Sequence, residues 1–502
     1  MAKTNKKFYV TTSIPYANAG PHIGHILDPL AADVLARYER IKGKEVKFLA
    51  GTDEHGAKIA RTAKARNITP RELVDENSAK FKALHKTLNL SRDDFIRTTD
   101  KKRHWPAAQK MWRELIKSGD IYWKKYRGLY CVGHEAFVTE KDLINGKCRD
   151  HQREPEVVEE ENWFFRLSKY SKKIKAAIIS GRFKIIPESR QNEILSLIKS
   201  GLDDVSFSRP AKDLAWGIPV PGDPTQTMYV WCDALVNYIS AIGYGEKSKE
   251  GQKSFKKWWP ADLQIIGKDN LRFHAAIWPG MLFSAGLALP KRLFVHGFIN
   301  VKGDKISKTV GNVIAPEELT KKYGVDPVRY HFLREFPYSD DGDFTYEKFE
   351  QRYNADLANG LGNFVSRVLT LAQKARLRQG FGGRGKIMPR QNKNFAAAVK
   401  ETEKNIEKSI GELKFSEALG AIWRLVALGD KYVDNKKPWT LPVHSTEFKE
   451  VIGSLLFLIS EIGKLLFPFL PETSGKIEKL INPSTKLRAR NKKSGVLFPR
   501  LK

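Results

Sequence analysis

The first fifty residues constrain this chain more than any other stretch. Phe8 to Ile14 is an apolar, β-rich run, and the loop Pro15-Tyr16-Ala17-Asn18-Ala19-Gly20-Pro21 follows it. Ile26, Leu30, Val34 and Tyr38 then recur every four residues, with Leu27, Ala31 and Leu35 beside them. That spacing predicts an amphipathic helix, closed by Gly43. Val46 to Ala50 reads as the next strand. Strand, helix and strand at this spacing make a βαβ unit, which demands a parallel sheet with ligands at the carboxyl ends of its strands.

A chain of 502 residues exceeds what one hydrophobic core usually serves, so several domains are expected. From about Gly119 the composition changes, and Cys131 to His151 is rich in turn and charged residues, so Gly119 to about Pro224 reads as an insertion that interrupts the sheet. Strand-like segments return at Met228 to Cys232, Leu263 to Ile266 and Leu293 to Val295. Beyond Tyr346 helical periodicity takes over until Val496-Leu497-Phe498, with a Gly/Arg-rich link at residues 379–386. The expected plan is α/β: a Rossmann-type parallel-sheet domain (1–118 and 226–345), an inserted connective domain (119–225), an all-α bundle (346–485) and a tail (486–502).

Lys and Arg outnumber Asp and Glu by 87 to 57, a net charge of +30, and the excess is heavy after Gln351. Such a balance suits a polyanionic partner, and it also suits plain solubility. Residues 1–7 lack the apolar core of a signal peptide, and Val451 to Ser460 is too short to span a bilayer. Three cysteines cannot build a disulfide framework. A cytoplasmic location away from membranes is expected.

Two motifs carry chemistry. Pro21-His22-Ile23-Gly24-His25 falls where the first loop ends and the first helix begins. Unpaired N–H groups at a helix start favour phosphate, and two histidines three apart share one face of the first turn. Gly24 has no Cβ, so a flat base can lie against the backbone there. The second motif, Lys305-Ile306-Ser307-Lys308-Thr309, is flanked by Gly303 and Gly311, which suits a mobile clamp on developing phosphate charge.

Together these motifs resemble the His-Ile-Gly-His and Lys-Met-Ser-Lys-Ser signatures of class I aminoacyl-tRNA synthetases, with Ile306 for Met and Thr309 for the final Ser. The resemblance narrows to methionyl-tRNA synthetases and runs nearly end to end. It is carried by Ser13 to Asn18, Gly51-Thr52-Asp53-Glu54-His55-Gly56, Tyr229 to Ala234 with Tyr238, Gly267-Lys268-Asp269, and His274 to Pro279. It implies a methionine–tRNA ligase whose partners are L-methionine, ATP with Mg2+, and tRNA(Met). By the same resemblance Asp53 binds the α-ammonium group. Ile14, Tyr16, Trp231, Ala234, Leu235, Tyr238, His274 and Trp278 line the side-chain pocket. His22, Gly24, His25, Gly267, Asp269, Lys305, Ser307 and Lys308 hold ATP, with His22, His25, Lys305 and Lys308 catalytic. Residues 231–238 also have the spacing of a plain core-facing helix stripe. Where some relatives carry Trp in an Asp-Trp-x-x-Ser-Arg stretch, this chain has Asp204-Val205-Ser206-Phe207-Ser208-Arg209, so one member of the aromatic wall is absent.

Cys131-x-x-His134 and Cys148-x-x-His151 have the pairing of a structural zinc knuckle, or of residues that are simply packed. In the helical part Asn363 and Arg367 lie four apart, and Lys436-Lys437-Pro438-Trp439 sets an aromatic beside two cations. That combination suits single-stranded bases, and the resemblance assigns Asn363, Arg367 and Trp439 to the CAU anticodon. The alternative is a helix–helix contact around a buried Trp. The end of the chain soon after the helical region suggests a monomer. Rival functions are another class I synthetase, or a catalytically silent RNA-binding paralogue.

Overall fold

The structure is a computed structural model that describes residues 6–133, 136–138, 140–149, 152–306, 311–377, 387–481 and 496–501. The chain forms two compact units. One comprises Met1–Lys86 and Leu90–His296, the other Thr87–Asn89 and Gly297–Lys502.

The first unit is built on six strands: β1 (Lys7–Thr12), β2 (Glu45–Thr52), β3 (Asp94–Arg97), β4 (Lys184–Ile186), β5 (Leu263–Gly267) and β6 (Arg292–His296). Every neighbouring pair is parallel, and the order is β3-β2-β1-β5-β6-β4. β1 and β5 are buried almost throughout, as expected for central strands covered on both faces. Helix α1 (Leu27–Ile41) buries Leu27, Leu30, Ala31, Val34 and Leu35, the residues whose spacing predicts it. Gly43, at φ +78°, turns the chain out of the helix.

The chain steps outward from β1 to β2 and β3 on one side, then crosses to the far edge at β4 and fills the gap with β5 beside β1 and β6 between β5 and β4. A parallel sheet opens a crevice at such a reversal, at the carboxyl ends of the strands. Residues 13–22 leave β1 there, and Gly267 ends β5 there. Close packing also dictates one glycine: a Cβ on Gly51 would lie 2.4 Å from Ile96 O and 2.9 Å from Ile14 Cγ2.

The inserted region departs from expectation in two places. Its middle returns to the main sheet, where Lys184–Ile186 pairs with β6 as an edge strand. Met228 to Cys232 is not a main-sheet strand. Met228 ends an antiparallel strand, Asp223–Met228, paired with Ser208–Pro210 and Pro219–Val220, and the chain then becomes helical at Val230–Ala234. The rest of the insertion holds a long antiparallel pair, Ile121–Cys131 with Glu156–Phe165. Phe207 is buried and stacks on Phe165 at 4.9 Å between ring centres.

The second unit begins at Gly297, earlier than the expected boundary near Tyr346, so it includes the Lys305 segment. Ile299–Val301 pairs with Asp304–Lys305 and with Gly342–Phe344. Helices follow from Tyr346, including a π-helix at Tyr353–Gly362 and long helices at Asn363–Leu377, Lys393–Gly411, Phe415–Lys436 and Thr446–Leu466. Val496 to Phe498 forms no strand. Leu497 and Phe498 are buried, and Tyr353 Oη donates to Pro499 O at 2.9 Å. Among the described residues no helix is long and apolar enough to cross a membrane.

Candidate active site

His22 caps the single turn Ile23–His25 that leads into α1. Its Nδ1 accepts from Gly24 N at 3.1 Å, and His25 Nδ1 accepts from His22 N at 3.1 Å. A ring nitrogen that accepts carries no proton, so both imidazoles hold theirs on Nε2 and present it as a donor. The rings lie 4.0 Å apart. Burial, and then the neighbouring His22, hold His25 down at about 3, so at neutral pH it offers a dipole rather than a charge.

Beside this turn, Asp28 in the first turn of α1 accepts from Ser13 Oγ with one carboxylate oxygen and meets His296 Nε2 with the other. The ends of β1 and β6 are thereby tied to the start of α1. Gly267 ends β5, where a Cβ would stand 2.8 Å from Asp269 Oδ1. Asp28 and His296 were not singled out in the sequence. The available signals were an acid in the first helical turn and a polar residue closing an apolar strand.

The proposed amino-acid side of the site is assembled around Asp53. Its backbone pairs with the strand-end loop, Asp53 N to Pro15 O at 2.9 Å and Ala17 N to Asp53 O at 2.8 Å, which places Tyr16 alongside. A π-helix at Phe273–Ile277 carries His274 and leads into Trp278. With about 4.4 residues per turn, residues four apart come to one side, and π-turns recur at functional sites.

His274 Nδ1 faces Asn270 O at 3.0 Å and its Nε2 faces Tyr238 Oη at 2.6 Å. Nδ1 therefore donates, and Tyr238 donates to Nε2. Burial pushes His274 down to about 4. Tyr238 lies 6.1 Å from the Trp278 ring, and Trp231 stacks on Phe273 at 3.6 Å and meets His274 edge-on at 6.4 Å. Ala234 and Leu235 are buried beside them, whereas Ile14 is half-buried. Burial and ring packing of Ala234, Leu235 and Tyr238 agree with the core-facing helix stripe. Phe273, which the sequence reading did not single out, packs face to face with Trp231.

The sequence also left unassigned the groups that fix Asp53. Glu54 is fully buried and accepts from Arg97 Nε at 2.6 Å, from Thr52 Oγ1 at 2.6 Å and from Thr99 Oγ1. Trp216 Nε1 donates to Glu54 O at 2.6 Å. His55, one residue on, reaches Asp233. Asp53 therefore stands on a loop held from several directions before any ligand arrives.

In the second unit, Lys305 is exposed and forms a short strand rather than loop, with its Nζ 5.2 Å from the Phe298 ring. Ser307, Lys308 and Thr309 lie outside the described residues. Asn363 is exposed at the start of its helix. Arg367, one turn on, is held by Asp434 at 2.8 Å and Asp430 at 3.2 Å. Trp439 is 53% exposed, so it is not the buried Trp of a helix–helix contact. In the insertion, Cys131 and Cys148 are buried in one small cluster with Val138. His134 and His151 lie outside the described residues, and among the described residues no three His, Cys, Asp or Glu side chains form a metal-holding group.

The family model described as tRNA synthetases class I (M) matches residues 8–149 and 137–369. The chain is 42% identical to the methionine–tRNA ligase of Caldanaerobacter subterraneus subsp. tengcongensis, over 99% of this chain and 79% of that protein. It is 44% identical to that of Clostridium perfringens, over 95% and 73%. It is 42% identical to that of Brucella suis, over 94% and 91%. Among solved structures it is similar to Mycobacterium tuberculosis methionyl-tRNA synthetase in complex with methionyl-adenylate, with a TM-score of 0.88, 38% identity, and 96% and 95% of the two chains covered.

Proposed function

The chain belongs to the methionine–tRNA ligases of class I, and from that premise we propose how its residues divide the work of activating methionine and loading it onto tRNA(Met). The reading rests above all on one arrangement: Tyr238, His274, Trp231 and Trp278 pack together in the unit where Asp53 stands braced at the end of β2.

In this reading the ammonium group of methionine lies on Asp53. Its thioether lies among the aromatic edges, which favour polarizable sulfur modestly. The Tyr238–His274 pair holds the phenol and imidazole rings fixed at this wall. The methionine carboxylate attacks the α-phosphate of ATP, and pyrophosphate leaves. That nucleophile is already ionised, so no base is needed, and alignment with charge stabilisation must supply the rate. His22 and His25 donate from Nε2 to phosphate oxygens. Gly24, Gly267 and Asp269 take the adenosine side. Lys305, Ser307 and Lys308 act on the pyrophosphate. Mg2+ accompanies ATP as its counter-ion. In the second step the 3′-terminal adenosine hydroxyl of tRNA attacks the mixed anhydride, releasing AMP. Asn363, Arg367 and Trp439 read the anticodon, a role supported by the exposure of the Trp439 indole and of Asn363.

Three finer readings complete the proposal. The enzyme works in the cytoplasm, where its substrates are, and as a monomer, which light scattering at 57.1 kDa would support. Cys131, His134, Cys148 and His151 hold one structural Zn2+, a reading supported by two thiols that share one cluster. One zinc per purified chain fits it; a folded protein without zinc overturns it.

ATP–pyrophosphate exchange without tRNA tests the whole. Exchange driven by methionine, and not by leucine, valine, isoleucine or cysteine, is the expected result. Exchange driven by one of the others would move the chain to a sister specificity, and none at all would fit a silent paralogue.

A further inference from the structure

Behind the proposed pocket lies an ionisable cluster that the reaction above does not use. Asp233 is 1% exposed, yet both its carboxylate oxygens are engaged. His55 Nδ1 meets Oδ2 at 2.6 Å, and His104 Nε2 meets Oδ1 at 2.6 Å. The other nitrogen of His104 faces Ser240 Oγ at 3.0 Å. His55 is 3% exposed, and His104 and Ser240 are fully buried.

A carboxylate in such a place is costly unless its oxygens stay paired, so these contacts are rigid constraints, not adjustable ones. The four side chains come from separate pieces of chain. His55 follows β2, His104 begins the helix His104–Lys117, Asp233 lies in Val230–Ala234 and Ser240 ends Asn237–Ser240. The positions matter more than the charge. Asp53 is two residues before His55, and Trp231 is two residues before Asp233. Any change in the His55–Asp233 separation moves the proposed ammonium ligand relative to the proposed thioether wall.

We propose that Asp233, clasped by His55 and His104, is a positioning residue for amino-acid selection, setting the distance between the Asp53 loop and the Trp231–Leu235 turn. The proposal rests on the reading that Asp53 and Trp231 bind methionine. It goes further in assigning methionine affinity to a buried clasp that touches no substrate.

The experiment compares pairs of substitutions in methionine-dependent pyrophosphate exchange. His55→Leu removes the donor. His55→Asn keeps an N–H close to the position of imidazole Nδ1. His55→Leu should raise the KM for methionine about tenfold, with kcat and the KM for ATP within about threefold. His55→Asn should recover most of that loss. His104→Leu and His104→Gln form a second pair with the same logic at Nε2, should the first leucine variant fail to fold. Equal methionine KM values for the Leu and Asn (or Gln) members would show a packing role and overturn the proposal. So would an ATP KM that rises in step with that for methionine. Failure of the underlying reading shows separately, because the unmodified enzyme would then not exchange pyrophosphate in response to methionine.

Discussion

Removing one oxygen atom, by Tyr238→Phe, tests the chemistry assigned to the pocket. Tyr238 is 1% exposed and donates to His274 Nε2 at 2.6 Å, while His274 Nδ1 donates to Asn270 O at 3.0 Å. With His274 held near 4 by burial, the imidazole is neutral at pH 7 and its Nε2 lone pair needs a donor. The phenylalanine ring keeps the packing against Trp278 and strands that lone pair. An unpaired buried acceptor costs about 1–3 kcal/mol. If the proposed pocket holds water when methionine is absent, that water satisfies it. Bound methionine expels that water, so the cost falls on binding. Converted at 1.4 kcal/mol per factor of ten, it raises the KM for methionine by roughly 5- to 150-fold. The KM for ATP should stay within about twofold. Pyrophosphate exchange across a methionine titration at saturating ATP reads both. A methionine KM unchanged within twofold, or a parallel rise for ATP, would refute the assignment.

Three other perturbations have defined outcomes. His331 is buried among Phe332, Phe336, Phe344 and Phe349, with neither ring nitrogen hydrogen-bonded, and burial, then Arg352 and Lys348, push it down to about 3. The unfolded chain takes up this proton near pH 6.5 and the folded chain does not, so the stability contributed at His331 is present above 6.5 and is lost as pH falls toward 3. His331→Phe should therefore gain about 1.4 kcal/mol more over the parent at pH 5.5 than at pH 8, measured by urea unfolding; an equal difference at both pH values would contradict this. Trp439→Ala should cut the rate of tRNA charging while leaving exchange intact, whereas loss of both would make the indole structural. Lys308→Ala should slow adenylate formation at least about tenfold, about 1.4 kcal/mol, with methionine affinity unchanged; an unaltered exchange rate would remove that residue from the reaction.

The sheet and its motifs were legible because long periodic runs and strand-end polar residues leave a mark on sequence. Leu30, Val34 and Gly43 gave α1, and the histidine motif fell at the head of that helix. Short elements left no such mark. Lys184–Ile186 spans three residues and has no alternation to read, so its return to the sheet was invisible. The β-rich run from Met228 to Cys232 is strand only as far as Met228 and helical from Val230, where Asp233 makes long-range contacts with His55 and His104 that local propensity does not record. Val496 to Phe498 looks strand-like, but it packs as irregular chain at the Tyr353–Gly362 helix. Buried polar partners were the hardest to foresee. Glu54 was quoted within a motif, but its pairing with Arg97 joins residues 43 apart in sequence. The His55–Asp233 contact spans 178.

A crystal structure with methionyl-adenylate bound bears most directly on the account. The ammonium group should lie on Asp53, the thioether between Trp231, Tyr238, His274 and Trp278, and the phosphate within hydrogen-bonding reach of Nε2 of His22 or His25. An adenylate bound with its side chain outside that aromatic nest, or its phosphate far from both histidines, would contradict it.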